Sequence, residues 1–304
     1  MEPADPPDAV RRIKELKAEM NAIILAHNYQ REEVQDVADF VGDSLELSRK
    51  AAGADVDYIV FCGVRFMAET AAILNPRRTV LLPEIRAGCP LADMIDEEGL
   101  RELKGRHPGA KVVCYVNSSA AVKAMSDVCC TSANAAKVVQ ALKGDVIFIP
   151  DENLGRFISS KTGRRLILHP GFCPTHLRLG PEQIRTAKEL HPGARVMVHP
   201  ECSGDVIALA DVALSTSQML RYARESDAEE FIVGTEAGLI HRLSIENPSK
   251  RFHLASPLLI CPNMKLITLN SVVESMERRR YVITVPEEVR AGAVRALEKM
   301  LSVS

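Results

Sequence analysis

Three cysteines in this chain are each followed directly by proline. They occur as Arg86-Ala87-Gly88-Cys89-Pro90, His169-Pro170-Gly171-Phe172-Cys173-Pro174 and Leu259-Ile260-Cys261-Pro262-Asn263. Proline fixes its own φ and removes a backbone donor, so each pair defines a turn that aims the thiol. Three thiolates brought to one point suit an iron–sulfur cluster. A cubane cluster has four irons, so three cysteines leave one iron open as a Lewis acid. The competing reading is three buried structural thiols, the ordinary fate of free cysteine. No C-x-x-C spacing occurs, which disfavours a zinc ribbon or a thioredoxin motif. Cys62 and Cys114 read as core; Cys129, Cys130 and Cys202 do not follow the three-point pattern.

Two further sets echo three times. Asp39-x4-Ser44, Asp127-x4-Ser132 and Asp211-x4-Thr216 each open a predicted helix. Ser and Thr at that position read as N-caps, and a helix N-terminus favours anions such as phosphate or carboxylate. Plain capping is the simpler alternative. The other set ends apolar runs: His27 and Tyr29, Tyr115 and Asn117, His199 and Glu201, with Glu236 after a later run. Residues at i and i+2 lie on one side of an extended chain. Such a ring of acid–base and hydrogen-bonding groups suits repeated proton transfer, with Glu201 the foremost general-base candidate. His176, three residues after Cys173, reads either as a partner of the cluster ligand or as a bystander.

These residues must be held by a repeated scaffold. The runs Ala22–Ala26, Val112–Val116 and Arg195–Val198 lie about 80–90 residues apart. Tyr58–Phe61, Val146–Ile149 and Phe231–Val233 form a second set, and Val80–Leu82, Leu166–Leu168 and Phe252–Leu254 a third. Each repeat therefore reads strand, helix, strand, helix, strand. Continuously apolar strands alternating with helices imply parallel sheets covered on both faces, an α/β fold with ligands at the carboxyl ends of the strands. The expected domains are 1–88, 89–172 and 173–262. The tail 263–304, with helices Leu269–Arg279 and Glu287–Ser302 and a short strand Tyr281–Val285, is expected to pack back on the first repeat.

The bulk composition narrows the function class. The 304 residues carry Lys+Arg 38 against Asp+Glu 40, a net charge of −2, with no basic stripe of the kind that binds nucleic acid. No apolar run reaches the roughly 18 residues of a membrane span. Met1–Asp8 is proline-rich and acidic, unlike a signal peptide. Eight cysteines in such a chain point to a reducing compartment, hence a cytoplasmic protein. Trp is absent, so the cores must rest on aliphatic residues.

The chain resembles the quinolinate synthase family of NAD biosynthesis over about residues 21–269. The resemblance is carried by Ala26-His27-Asn28-Tyr29, Val41-Gly42-Asp43-Ser44, Met67-Ala68-Glu69-Thr70, Ala87-Gly88-Cys89, Tyr115-Val116-Asn117 and Thr131-Ser132-Ala133-Asn134. Pro170-Gly171-Phe172-Cys173-Pro174-Thr175-His176, His199-Pro200-Glu201-Cys202, Gly234-Thr235-Glu236 and Cys261-Pro262-Asn263-Met264 complete it. It implies three Rossmann-like parallel-sheet domains in pseudo-threefold arrangement around a central active site. It implies a [4Fe-4S] cluster on Cys89, Cys173 and Cys261. The implied reaction condenses iminoaspartate with dihydroxyacetone phosphate to quinolinate, releasing phosphate and water. Implied substrate contacts are His27, Ser44, Tyr115, Asn117, Ser132, His199, Glu201 and Thr216. Tyr29, Tyr115, His199 and Glu201 are the implied catalytic groups. Aspartate oxidase and aspartate dehydrogenase are candidate transient partners, as sources of iminoaspartate. Position 169 is His where the family pattern carries Trp, and the cysteine-rich C-terminal extension of some members is not present, so no disulfide switch of that type is expected. Two other readings of the residues are an iron–sulfur hydro-lyase acting on another small anionic acid, and a non-enzymatic binder with buried thiols.

Overall fold

The computed structural model describes residues 6–303; the acidic, proline-rich start read from Met1–Asp8 falls largely outside them. Three four-stranded, all-parallel sheets follow one another. The first has β1 (Ala22–His27), β2 (Phe40–Gly42), β3 (Tyr58–Cys62) and β4 (Thr79–Leu81). The second has β5 (Lys111–Tyr115), β6 (Val128–Cys130), β7 (Val146–Ile149) and β8 (Ile167–Leu168). The third has β9 (Arg195–Val198), β10 (Val212–Ala213), β11 (Glu230–Gly234) and β12 (Arg251–Leu254). Each places its second strand at one edge, then its first, third and fourth. The central strands are buried runs of Val, Ile and Leu, the composition of a sheet covered on both faces. No helix among the described residues is long and apolar enough to cross a membrane.

The sheets correct the three-strand reading of each repeat. β2, β6 and β10 are two or three residues long, too short to show periodicity in the sequence. Cys129 and Cys130 belong to β6, fully buried. Just before each of these edge strands lies the aspartate of the Asp-x4-Ser/Thr motif. The carboxylates of Asp39, Asp127 and Asp211 accept the backbone N–H of Ile24, Val112 and Val196 at 2.8, 2.9 and 2.7 Å. The N–H of each aspartate donates back to the carbonyl of that same residue. Lys17, Lys111 and Arg195 complete the three clamps.

The tail divides. Helix Leu269–Arg278 lies on helix Pro6–Met20 and β3, and the Tyr281–Ile283 segment makes an isolated antiparallel bridge to β4 rather than a strand. Helix Glu287–Ser302 lies mainly on the second repeat, against helix Ala120–Ala124 and β6, and also touches helix Arg65–Leu74 of the first. Gly292 makes that approach: a Cβ there would sit 2.7 Å from the Ala124 carbonyl oxygen. Asn134 Nδ2 donates to the Met300 carbonyl at 3.2 Å. This departs from the expected return of residues 263–304 to the first repeat. An amphipathic pattern shows that a helix has an apolar face and says nothing of which surface it covers.

One apolar core runs through the first sheet, the second sheet and the tail. The third sheet keeps two cores of its own, one on each face.

Candidate active site

A cavity of about 170 Å³ opens where the carboxyl ends of the three sheets meet. β1, β5 and β9 end at or just before His27, Asn117 and His199, while Ser44, Ser132 and Thr216 follow the edge strands. Cys89, Cys173 and Cys261 follow β4, β8 and β12. All of these line the cavity, as do Tyr29, Tyr115 and Glu201, so the structure brings the whole predicted set together.

The helix openings differ from the capping read from sequence. Asp43, not Ser44, caps helix Ser44–Ala52, its carboxylate accepting from Leu45 N and Glu46 N at 2.9 Å each. Ser215 caps helix Thr216–Glu225 in a capping box with Gln218. Ser132 lies in a turn, and helix Ala135–Ala141 starts three residues later. Ser44, Ser132 and Thr216 are thereby released from capping and face the cavity.

Each thiol sits at the head of one helical turn with backbone N–H groups directed at its sulfur. These come from Leu91 and Ala92 for Cys89, from His176 for Cys173, and from Asn263 and Met264 for Cys261. The geometry is that of an N-cap with sulfur as acceptor, which favours thiolate. Burial opposes it, pushing the Cys89 thiol up to about 12 and the Cys173 and Cys261 thiols above their ordinary range. The Cys89 thiol feels the charge of Cys261, and Cys173 that of Cys89. Cys62, Cys114, Cys129, Cys130 and Cys202 are fully buried and do not line the cavity. The three half-buried thiols, each preset by N–H donors, fit the ligand set of a metal cluster.

Polar contacts link the third repeat to the other two across the cavity and run on within it. Tyr115 Oη donates to Glu201 Oε1 at 2.5 Å, and His176 Nδ1 lies 2.7 Å from Glu201 Oε2. His199 Nε2 lies 3.2 Å from Ser132 Oγ. Tyr29 Oη lies 2.6 Å from Thr235 Oγ1, which also meets His176 Nε2 at 2.9 Å. Asn28 Nδ2 donates to Thr216 Oγ1 at 2.9 Å. His27 Nδ1 accepts from Tyr29 N at 3.1 Å, and His199 Nδ1 from Glu201 N at 3.3 Å. Both rings therefore carry their proton on Nε2. Burial holds both imidazoles neutral, pushed down to about 3. Burial also lifts the Tyr29 and Tyr115 phenols well above their ordinary value, reinforced by the Glu201 charge. Burial works against the Glu201 charge as well, but His199, His176 and the Tyr115 hydroxyl outweigh it and hold the carboxyl below the carboxylate range. The Glu201 carboxylate thus stands among the neutral His27 and His199 rings and the un-ionised Tyr29 and Tyr115 phenols. Asn117 Oδ1 is buried with no hydrogen-bond partner, an acceptor waiting for a donor.

Several groups were missed or undervalued in the sequence. His176 touches Glu201, Cys173 and Thr235, and its Thr175-His176 placement beside Cys173 was the available signal. Glu236, fully buried, accepts from Gly238 N and Cys261 N and pairs with Lys265 Nζ at 3.0 Å. Lys265 also donates to the Tyr29 carbonyl at 2.6 Å, and Asn263 Nδ2 to the Gly88 carbonyl at 2.8 Å, fastening the Cys261 loop to the Tyr29 and Cys89 loops. Arg178, exposed, puts a cation on the cavity wall. His169 Nε2, at the position where Trp was expected, meets the Met94 carbonyl at 3.0 Å.

Comparison with known proteins agrees with this geometry. The family model for NadA, the quinolinate synthetase A protein, matches residues 11–302. The chain is similar to a quinolinate synthase of Dehalococcoides mccartyi, 58% identical over 293 residues, 96% of this chain and 97% of the relative. Quinolinate synthase 1 of Methanosarcina acetivorans is 54% identical over 297 residues, 97% and 98% of the two chains. A quinolinate synthase of Geobacter metallireducens is 54% identical over 294 residues, 96% and 97%.

Proposed function

Because this chain belongs to the quinolinate synthetase A protein family, enzymes of NAD biosynthesis, we propose that it condenses iminoaspartate with dihydroxyacetone phosphate to quinolinate, with release of phosphate and water. The observation that supports this best is the convergence of three N–H-cradled thiols and the buried Glu201 carboxylate on one cavity between three sheets. Cys89, Cys173 and Cys261 would hold a [4Fe-4S] cluster. When bound, that cluster supplies an open iron as a Lewis acid for loss of water.

The chain's own residues have distinct tasks in this reading. The Nε2–H groups of His27 and His199 donate to substrate oxygens without adding charge. Ser44, Ser132 and Thr216, with the backbone at two helix starts, receive the phosphate and carboxylate groups, and Asn117 Oδ1 accepts from the substrate nitrogen. Arg178 adds charge attraction for two anionic substrates. The Glu201 carboxylate takes the proton passed by Tyr115, and its second oxygen is held by His176. Tyr29, fixed through Thr235, returns a proton where a hydroxyl leaves. Tyr115, His199 and Glu201 thus contact substrate and also move protons. The proposed units are residues 1–88, 89–172 and 173–262 with a tail, and the proposed location is the cytoplasm. An upstream oxidase or dehydrogenase acting on aspartate would supply iminoaspartate.

The test is an anaerobic assay of the reconstituted protein with both substrates. Quinolinate and inorganic phosphate in equal amounts are expected. Dehydration of a small acid without phosphate release would point to a different hydro-lyase. A colourless, iron-free protein after reconstitution would remove the cluster from the account.

A further inference from the structure

We propose that His191, Glu230 and His253 form a divalent-cation site, suited to zinc, at the amino end of the third sheet. One donor atom from each of the three side chains lies within 4.8 Å of the others. Glu230 opens β11, and His253 lies on β12 in register with Ile232. Side chains alternate along a strand, so Glu230 and His253 share one face of the sheet. Helix Pro181–Leu190 covers that face and ends at His191.

The chemistry of the donors is specific. Two imidazoles and one carboxylate are a known donor set for zinc, leaving a fourth position for water. The rings of His191 and His253 stack at 3.5 Å between centroids, 13° from parallel. Two imidazolium ions would repel at that distance, so the pair favours at least one neutral ring with a free lone pair. The Nε2 atom of His253 is buried and has no hydrogen-bond partner, while Glu230 Oε2 lies 3.8 Å away. The other oxygen of Glu230 is taken by Arg251. A zinc ion bonded at about 2 Å to each donor needs them about 3.4 Å apart. All three side chains are only partly buried, so modest rotations of the rings achieve this. The Arg251 guanidinium opposes the cation and sets an upper limit on affinity.

The site is separate from the cavity. Glu230 starts the strand whose far end leads to Thr235 and Glu236, about 13 Å away at the rise of a β-strand. None of the three residues lines the cavity. The inference therefore does not rest on the proposed reaction.

The test titrates the anaerobically reconstituted holoenzyme with Zn²⁺ against a chromophoric chelator, and with Co²⁺ by visible absorption. The expected result is one equivalent bound beyond the cluster, with weak d–d bands of Co²⁺ and no thiolate-to-metal charge-transfer band. His253→Ala and His191→Ala should each weaken Zn²⁺ binding about tenfold or more, with turnover unchanged. Arg251→Gln should tighten it, because the competing cation is gone. No additional equivalent in the wild-type protein would overturn the proposal. So would an equivalent that persists in the His191→Ala, His253→Ala double variant, or one that shows thiolate charge transfer.

Discussion

The first two repeats and the third are built alike and joined differently. Sheets one and two share a continuous apolar core with the tail, and helix Glu287–Ser302 bolts onto the second after Leu269–Arg278 has bolted onto the first. The third sheet has its own cores, and many of its ties to the others are polar: Tyr29 to Thr235, Tyr115 to Glu201, Ser132 to His199, and Lys265 between Glu236 and Tyr29. Gly238 packs so closely on the first repeat that a Cβ would sit 2.6 Å from the Gln30 carbonyl oxygen. Apolar burial is non-directional, whereas these ties need particular side chains in place. The difference teaches that the groups read as chemistry are also the groups that hold the third repeat in position.

The sharpest way to break this comparison is at the thiols. Cys173→Ala should lose bound iron and activity altogether, because the remaining two sulfurs cannot hold the proposed cluster. Cys202→Ala, in the same repeat but facing the core, should keep both. Iron analysis after anaerobic reconstitution reads the contrast, and full iron in Cys173→Ala would take that residue out of the ligand set. Next in size is Glu201→Gln, which keeps the shape but removes the charge. Turnover should fall by about 10²–10⁴ with iron content unchanged. Normal turnover would mean that the proton is handled elsewhere.

The smaller effect is acid sensitivity of the junction. His27 and His199 ordinarily titrate near 6.5, and burial lowers both to about 3 in the folded chain. Between those values the unfolded chain takes up protons that the folded one refuses, so stability falls as pH falls across that window. The slope is on the order of 1 kcal/mol per pH unit for each histidine. Glu201, held below its ordinary range, adds to the loss in the same direction at the acid end. Urea midpoints should drop from about pH 6.5 downward, and His199→Asn should flatten the slope. Hydrogen exchange in β9 and β11 should rise before that in β1 and β5. Equal acceleration in all three sheets would erase the distinction between the repeats.

Much of this arrangement was legible in the residues. The central strands announce themselves as Val- and Ile-rich runs, and the recurrence of Cys-Pro after the last run of each repeat places three sulfurs at equivalent positions. β2, β6 and β10 were not legible, yet they deliver Ser44, Ser132 and Thr216. Two residues are enough for a ladder when a neighbouring strand supplies the template, and too few to leave a pattern. The aspartates of the Asp-x4-Ser/Thr motif were visible as a repeat, but their role was not: their partners are backbone N–H groups, which every sequence contains. His176 stood three residues after Cys173, but its contact with Glu201 joins positions 25 residues apart and depends on the fold.

The Asp39, Asp127 and Asp211 clamps stand at the opposite end of the sheets from the cavity. They let substitution at one pole of the molecule be traded against the other. An engineer could redesign Ser44, Ser132 and Thr216 for a different anion while the far pole keeps every edge strand in register.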